Sequence, residues 1–201
     1  MTCIKCYGIC SLMDHAYFFG YGSLVNRATH SFSDTHHATA KGWRRAWRQT
    51  SQRRACYLTA VPDITCEISG LIAHVPNDDW AALDIRERGY ARLPANSAIS
   101  HPLQTPASLA IYAIAPENQS DPTRETPILL SYLDVVIQGY LQEFGEDGAA
   151  QFFATTSGWD APVLNDRASP VYPRHQVLTP AETAFVDGQL AALNVGFIGG
   201  S

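Results

Sequence analysis

Short apolar runs punctuated by Gly, Pro, Asn and Asp fill the first half of the chain. They are HAYFFGY (His15–Tyr21), ACYLTAV (Ala55–Val61), CEISGLIAHV (Cys66–Val75), YARLPA (Tyr90–Ala95) and SLAIYAIA (Ser108–Ala115). Their β-branched and aromatic content predicts strands. Between the third and fourth, NDDWAALDIRERG (77–89) predicts a short helix. Asn77 is its N-cap, Asp78 and Asp79 face the positive end of its dipole, and Gly89 closes it.

The period lengthens in the second half. Leu129, Leu133, Val136, Ile137, Tyr140 and Phe144 recur at helical spacing, with Thr126 and Pro127 as cap and first turn and Gly145 as the stop. The capping box TPAE (Thr179–Glu182) opens a last helix carrying Phe185, Val186, Leu190 and Leu193. GWDAPVLNDRASPVYPR (158–174) holds four prolines or glycines and little periodicity, and reads as an ordered loop over the body. Strands first and helices afterwards predict an α+β fold: a mixed, barrel-like β-sheet with a short inserted helix and flanking C-terminal helices.

With 201 residues, 46% hydrophobic and 16% charged, the chain suits one globular domain, expected over residues 13–201. No apolar run is long enough for a bilayer-spanning helix, and no secretory leader pattern is present, so a cytoplasmic protein without a membrane partner is expected. The net charge of −5 argues against a polyanion partner. Lys41–Arg54 nevertheless gathers six of the 14 basic residues around Trp43 and Trp47. It reads as an edge strand or substrate-facing wall, with a nucleic-acid patch as the alternative. Cys3, Cys6 and Cys10 crowd the N-terminus without a fourth ligand at tetrahedral zinc spacing. Residues 1–12 are therefore expected to form a disordered extension, with Met13 as a candidate start.

The chemistry begins at YFFGYGSLVN (Tyr17–Asn26), where a Gly-X-Gly turn follows a strand. Such a turn exposes successive backbone N–H groups to an anion or carbonyl. A dinucleotide fingerprint and a nucleophile elbow each require glycine at position 25, which is Val25. A second candidate is Glu87 in LDIRERGY (Leu83–Tyr90), at a helix C-terminus between Arg86 and Arg88. The dipole there favours the protonated carboxyl and the arginines favour the carboxylate, so its behaviour turns on where they point. An exposed Glu87 would be a surface charge; a buried one is suited to general acid–base work.

FGYGSL (Phe19–Leu24) and LDIRERGY, about 60 residues apart, together resemble the gamma-glutamylcyclotransferase-like family, including its glutathione-directed ChaC-type branch. The resemblance covers about residues 16–115 and fades beyond. It implies that Tyr21, Gly22, Ser23 and Leu24 bind the γ-glutamyl part of a substrate, that Glu87 is the catalytic acid/base, and that Tyr90 is a pocket wall or hydrogen-bond donor. The ChaC-type branch typically shows two glycines before this tyrosine, whereas only Gly89 stands here, a difference that bears on the substrate more than on the reaction class. The implied activity converts glutathione, a γ-glutamyl amino acid or a γ-glutamyl amine to 5-oxoproline and a free amine. It requires no cofactor and no metal. A non-catalytic domain binding a γ-glutamyl ligand in the same pocket is the competing reading. In the late loop, Asp166, Arg167, Tyr172 and Arg174 either fasten the loop or reach a substrate carboxylate.

Overall fold

The computed structural model describes residues 15–51 and 54–199. The expected N-terminal extension and its cysteine trio lie outside these residues. The chain runs β1 (His15–Gly20), β2 (Thr35–Arg48), β3 (Tyr57–His74), α1 (Ala81–Arg86), β4 (Ala91–Pro94), β5 (Ile99–Ser100) and β6 (Ala107–Ala113). It continues through β7 (Ile128–Leu129), α2 (Leu130–Ala154), β8 (Thr156–Ser157), β9 (Val163–Leu164), α3 (Pro180–Ala192) and β10 (Phe197–Ile198).

The main sheet has the order β4-β6-β1-β3-β2-β5, with β8 added beside β2. It is mixed, since β1 pairs parallel with β6 and antiparallel with β3, and it curls into a half-barrel carrying the helices. The architecture is the expected α+β class. β1 is continuously apolar because both its faces are covered. Tyr17 and Phe19 join the main core, whereas Ala16 and Phe18 join a second cluster with Leu24, Ala73 and Leu83. β4 is exposed along its length and ends in Pro94, as befits an edge.

Several boundaries differ from the sequence reading. The runs 55–61 and 66–75 are parts of one strand, β3, because residues 63–66 bulge out opposite Gly42 while pairing resumes at Lys41–Glu67. The basic run belongs mainly to β2, which is not an edge: β3 lies on one side of it, β5 and β8 on the other. Asn77 sits at positive φ in a short 3₁₀ turn, and Asp79 accepts the Ala81 N–H at the start of α1 (2.9 Å). Thr126 and Pro127 precede α2 without opening it. The Thr126 hydroxyl donates to Gln49 Oε1 (2.8 Å) and accepts the Thr123 N–H (3.0 Å). The Ser131 N–H in the first turn of α2 is satisfied from far along the chain, by Asp166 Oδ1 at 2.8 Å. Gly145 breaks the helix as expected, with φ 68°, but helical chain resumes and runs on to Ala154. The Thr179 capping box of α3 is present in full.

Part of the basic run is taken up within the fold. Arg44 pairs with Asp63 and Arg48 with Asp121, at 2.7 and 2.6 Å. Arg45 is buried outright. Its guanidinium donates to the carbonyl oxygens of Tyr21 and Ser69, to Tyr140 Oη and to Thr155 Oγ1, and lies 5.0 and 4.9 Å from the Tyr140 and Phe152 ring centres. One side chain of β2 thereby joins the end of β1, the middle of β3 and both halves of α2. Replacing it without replacing its donors strands several buried acceptors. Arg45→Met is expected to lower stability by about 3 kcal/mol or more, with Arg45→Lys recovering less than half, read from the urea midpoint at constant m-value. A wild-type midpoint in the methionine variant would refute the role assigned to Arg45.

Candidate active site

The glycine loop leaves β1 as a single 3₁₀ turn, Ser23–Val25, stacked against α2. Two close approaches shape it. A β-carbon at Gly20 would lie 2.7 Å from Leu24 Cβ, and one at Gly22 would lie 2.8 Å from Tyr132 Oη and 3.2 Å from Leu58 Cδ2. Glycine is needed here for room, since neither residue has positive φ. The far end of the loop is pinned by Asn26, whose buried amide donates to Val135 O (2.9 Å) and Gln138 Oε1 (3.0 Å) of α2. Gly139 makes that contact possible, because a β-carbon there would meet Asn26 N at 2.7 Å.

Glu87 follows α1 directly, as its C-terminal capping residue. Its side chain is 15% exposed and that of Arg86 10%, and Arg86 Nε meets Glu87 Oε1 at 3.1 Å. Arg88 points to solvent. The arginine that turns inward thus tethers the carboxylate, and the surface-charge reading of Glu87 does not fit this burial. Arg86 is itself fastened to the turn beyond the loop, donating to Thr29 O (2.9 Å), Thr29 Oγ1 (3.2 Å) and Ser23 Oγ (3.4 Å). Burial pulls its guanidinium below the ordinary value, while the Glu87 charge pushes it back up.

Loop and carboxylate share the wall of a cavity of about 540 Å³, within the range of small-molecule sites. Ser23, Arg86, Glu87, Gly89 and Tyr90 line one part of it. The start of β3 supplies Tyr57 and Leu58, α2 supplies Tyr132, and the loop after β9 supplies Val171 to Arg174. A smaller cavity of about 30 Å³ adjoins Tyr21, Gly22, Leu24, Glu87 and Tyr90. The predicted site residues are therefore brought together, but they serve differently. Ser23 lines both cavities and Gly22 the smaller one. Leu24 turns its side chain into the second core cluster, and the Tyr21 hydroxyl is buried, donating to Tyr112 O (2.5 Å) and accepting from Ala60 N (3.0 Å). Tyr90 is both wall and donor, its hydroxyl bonding Leu58 O at 3.0 Å.

Tyr132, absent from the sequence reading, stands at the centre of the site. Its ring packs edge-on against Trp47 and Tyr172, and its hydroxyl receives the Ser23 N–H. Burial raises the phenols of Tyr21, Tyr90 and Tyr132 above their ordinary range, and the negative charge of Glu87 adds to the rise. They stay protonated, and hence able to donate, at any pH near neutral. Cys56 at the rim is no nucleophile: burial pushes its thiol up to about 12, and it donates to Thr126 O at 2.8 Å. In the late loop, Asp166 holds Ser131 and the Val171 N–H, and Arg167 pairs with Asp134 and Asp187, so both act as fasteners. No cluster of His, Cys, Asp and Glu suited to a metal ion occurs among the described residues, and no helix there is long and apolar enough to cross a membrane.

Residues 16–121 match the family model of ChaC-like proteins, and the chain belongs to that family, which includes γ-glutamyl cyclotransferase enzymes. Among curated proteins none matches the sequence. Similar solved structures include an uncharacterized human protein, loc79017 (TM-score 0.54, 13% identity, 85% of this chain and 97% of that one). Another is described as a gamma-glutamyl cyclotransferase (TM-score 0.52, 12% identity, 86% and 98%). A third is YkqA from Bacillus subtilis (TM-score 0.53, 16% identity), of which the match spans 56% while covering 72% of this chain. At such identities these likenesses establish the fold. Tyr132, Tyr172 and Arg174 lie beyond the segment that the family model matches.

The contact between Gly22 and Tyr132 is open to a double-mutant test. Gly22→Ala is expected to destabilise the protein by about 1–3 kcal/mol through overpacking, and Tyr132→Phe, which removes the obstructing oxygen, to relieve part of that cost. Strict additivity in thermal or urea unfolding would show that the two residues do not touch.

Proposed function

We propose that the protein is a γ-glutamyl cyclotransferase, converting a γ-glutamyl compound to 5-oxoproline and the released amine. The observation that carries this reading is the placement of Glu87. A largely buried carboxylate, oriented by Arg86, faces the same cavity as the glycine loop.

In such a substrate the α-amine and the γ-carbonyl belong to one chain, so attack closes a five-membered ring. Holding the reactive rotamer is worth an effective molarity of about 10⁵ M or more, and selecting it is much of the catalytic task. The ammonium form cannot attack. Glu87 takes a proton from it, the nitrogen lone pair adds to the γ-carbon, and the second proton that the ring nitrogen then sheds passes to solvent. The electrons return from the tetrahedral oxygen as the C–N bond to the leaving group breaks, and Glu87 delivers the proton to the departing nitrogen, which leaves as a neutral amine. The backbone N–H of Gly22 and the Ser23 hydroxyl hold the glutamyl end. Tyr132 and Tyr90, kept protonated, border the same space, and Ser23 binds without acting as a nucleophile.

The test is release of 5-oxoproline from a panel of glutathione, γ-glutamyl amino acids and γ-glutamyl amines. Turnover of at least one is expected, with Glu87→Gln lowering kcat by at least about 10²-fold in protein of unchanged melting temperature. Wild-type turnover in the glutamine variant would sink the assignment of Glu87. Silence of folded wild-type protein across the whole panel would favour a binding domain.

A further inference from the structure

The cavity is larger than a γ-glutamyl group fills, and the remaining space is where the departing amine must lie. Among the described residues, four charged ones line it: Arg54, Arg86, Arg174 and Glu87. Glu87 and Arg86 are committed to one another and to the loop. Arg174 is different. It is half-buried, and its guanidinium makes no hydrogen bond or ion pair with another described residue. It lines the same cavity as Arg86 and Glu87.

We propose that Arg174 holds a carboxylate on the leaving group, so that the site takes γ-glutamyl amino acids or peptides in preference to γ-glutamyl alkylamines. The proposal rests on the cyclotransferase reading and deepens it. An unpaired guanidinium in a partly desolvated wall is suited to a planar carboxylate, which it grips through two parallel hydrogen bonds. Arg54 adds a second positive charge along the cavity, so a cationic leaving group would be repelled and an anionic one drawn in.

The loop is also built to hold Arg174 in place. Asp166 takes the Ser131 hydroxyl and the Val171 N–H, the Tyr172 N–H donates to Ser131 Oγ at 3.2 Å, and the His175 N–H returns to Tyr172 O at 3.1 Å. The backbone on both sides of Arg174 is therefore ordered before any ligand arrives, which limits the entropy lost on binding.

γ-Glutamylglycine and its glycine amide differ only at the carboxylate and form the probe pair. Wild-type protein is expected to favour the acid by about tenfold or more in kcat/KM. Arg174→Ala should raise KM for the acid about tenfold, with kcat little changed and the amide unaffected, and Arg174→Lys should keep part of the preference. Calorimetric binding of both compounds to Glu87→Gln protein separates this proposal from its parent. Preferential binding of the acid that Arg174→Ala erases, without wild-type turnover, would support the subsite and overturn the cyclotransferase reading. Turnover of acid and amide alike, or an equal effect of Arg174→Ala on both, would overturn the subsite and leave the cyclotransferase reading standing. Failure of both compounds to bind or react would overturn the subsite, and silence across the wider panel would overturn the cyclotransferase reading with it.

Discussion

A single buried cation organises this fold. Among the described residues Arg45 has no carboxylate partner, and it is satisfied by carbonyls, hydroxyls and two aromatic faces contributed by β3, α2 and the chain just past the ends of β1 and α2. Burying a charge this way is tolerable only if every donor finds its acceptor, so the arrangement has little latitude. The Tyr21 carbonyl that it holds is also bonded by Tyr140 Oη at 3.0 Å. That carbonyl is the last fixed point before the chain turns through Gly22 and Ser23. The geometry of the candidate active site therefore begins with an interaction well inside the core, and the basic run of β2 exists in part to supply it.

From that anchor the site is assembled in two halves. The family-matched segment provides the glycine loop, Arg86, Glu87 and Tyr90, which set a largely buried carboxylate beside the loop. The later chain provides α2 and the loop after β9, which set how far the cavity extends and what borders it. The halves meet at short contacts: Gly22 against Tyr132, Asn26 against Gly139. These junctions bring the two halves into one pocket.

The sequence revealed the first half because its elements are local. A strand that ends in Gly-X-Gly and a short helix before Glu87 both follow from neighbouring residues, although the helix begins at Ala81, later than the expected cap at Asn77. What escaped was non-local. The Ala55–Val61 and Cys66–Val75 runs looked separate because nothing nearby shows that the chain bulges at 63–66 and pairs again. Thr126 and Pro127 looked like a helix start, but the first turn of α2 draws its capping acceptor from Asp166, 35 residues away. Tyr132 carries a core-like pattern position and nothing that marks it as a site residue. Its role appears only when α2 is laid against the loop. Arg45 reads as one charge in a surface strand until four separate segments close around it.

The link from Asp166 to Ser131 carries a meaning of its own. It ties the N-terminus of the central helix to the wall that faces the ligand, so one carboxylate serves the helix and the wall together. The residues between Val171 and Arg174 can then change in size and charge without unfastening the scaffold, since the fastening runs through Asp166, Ser131 and backbone amides. Substrate preference and foldability are thereby separated within one loop. A lineage carrying this fold has a place where the cavity wall can vary by single substitutions that leave Glu87 and its tether untouched.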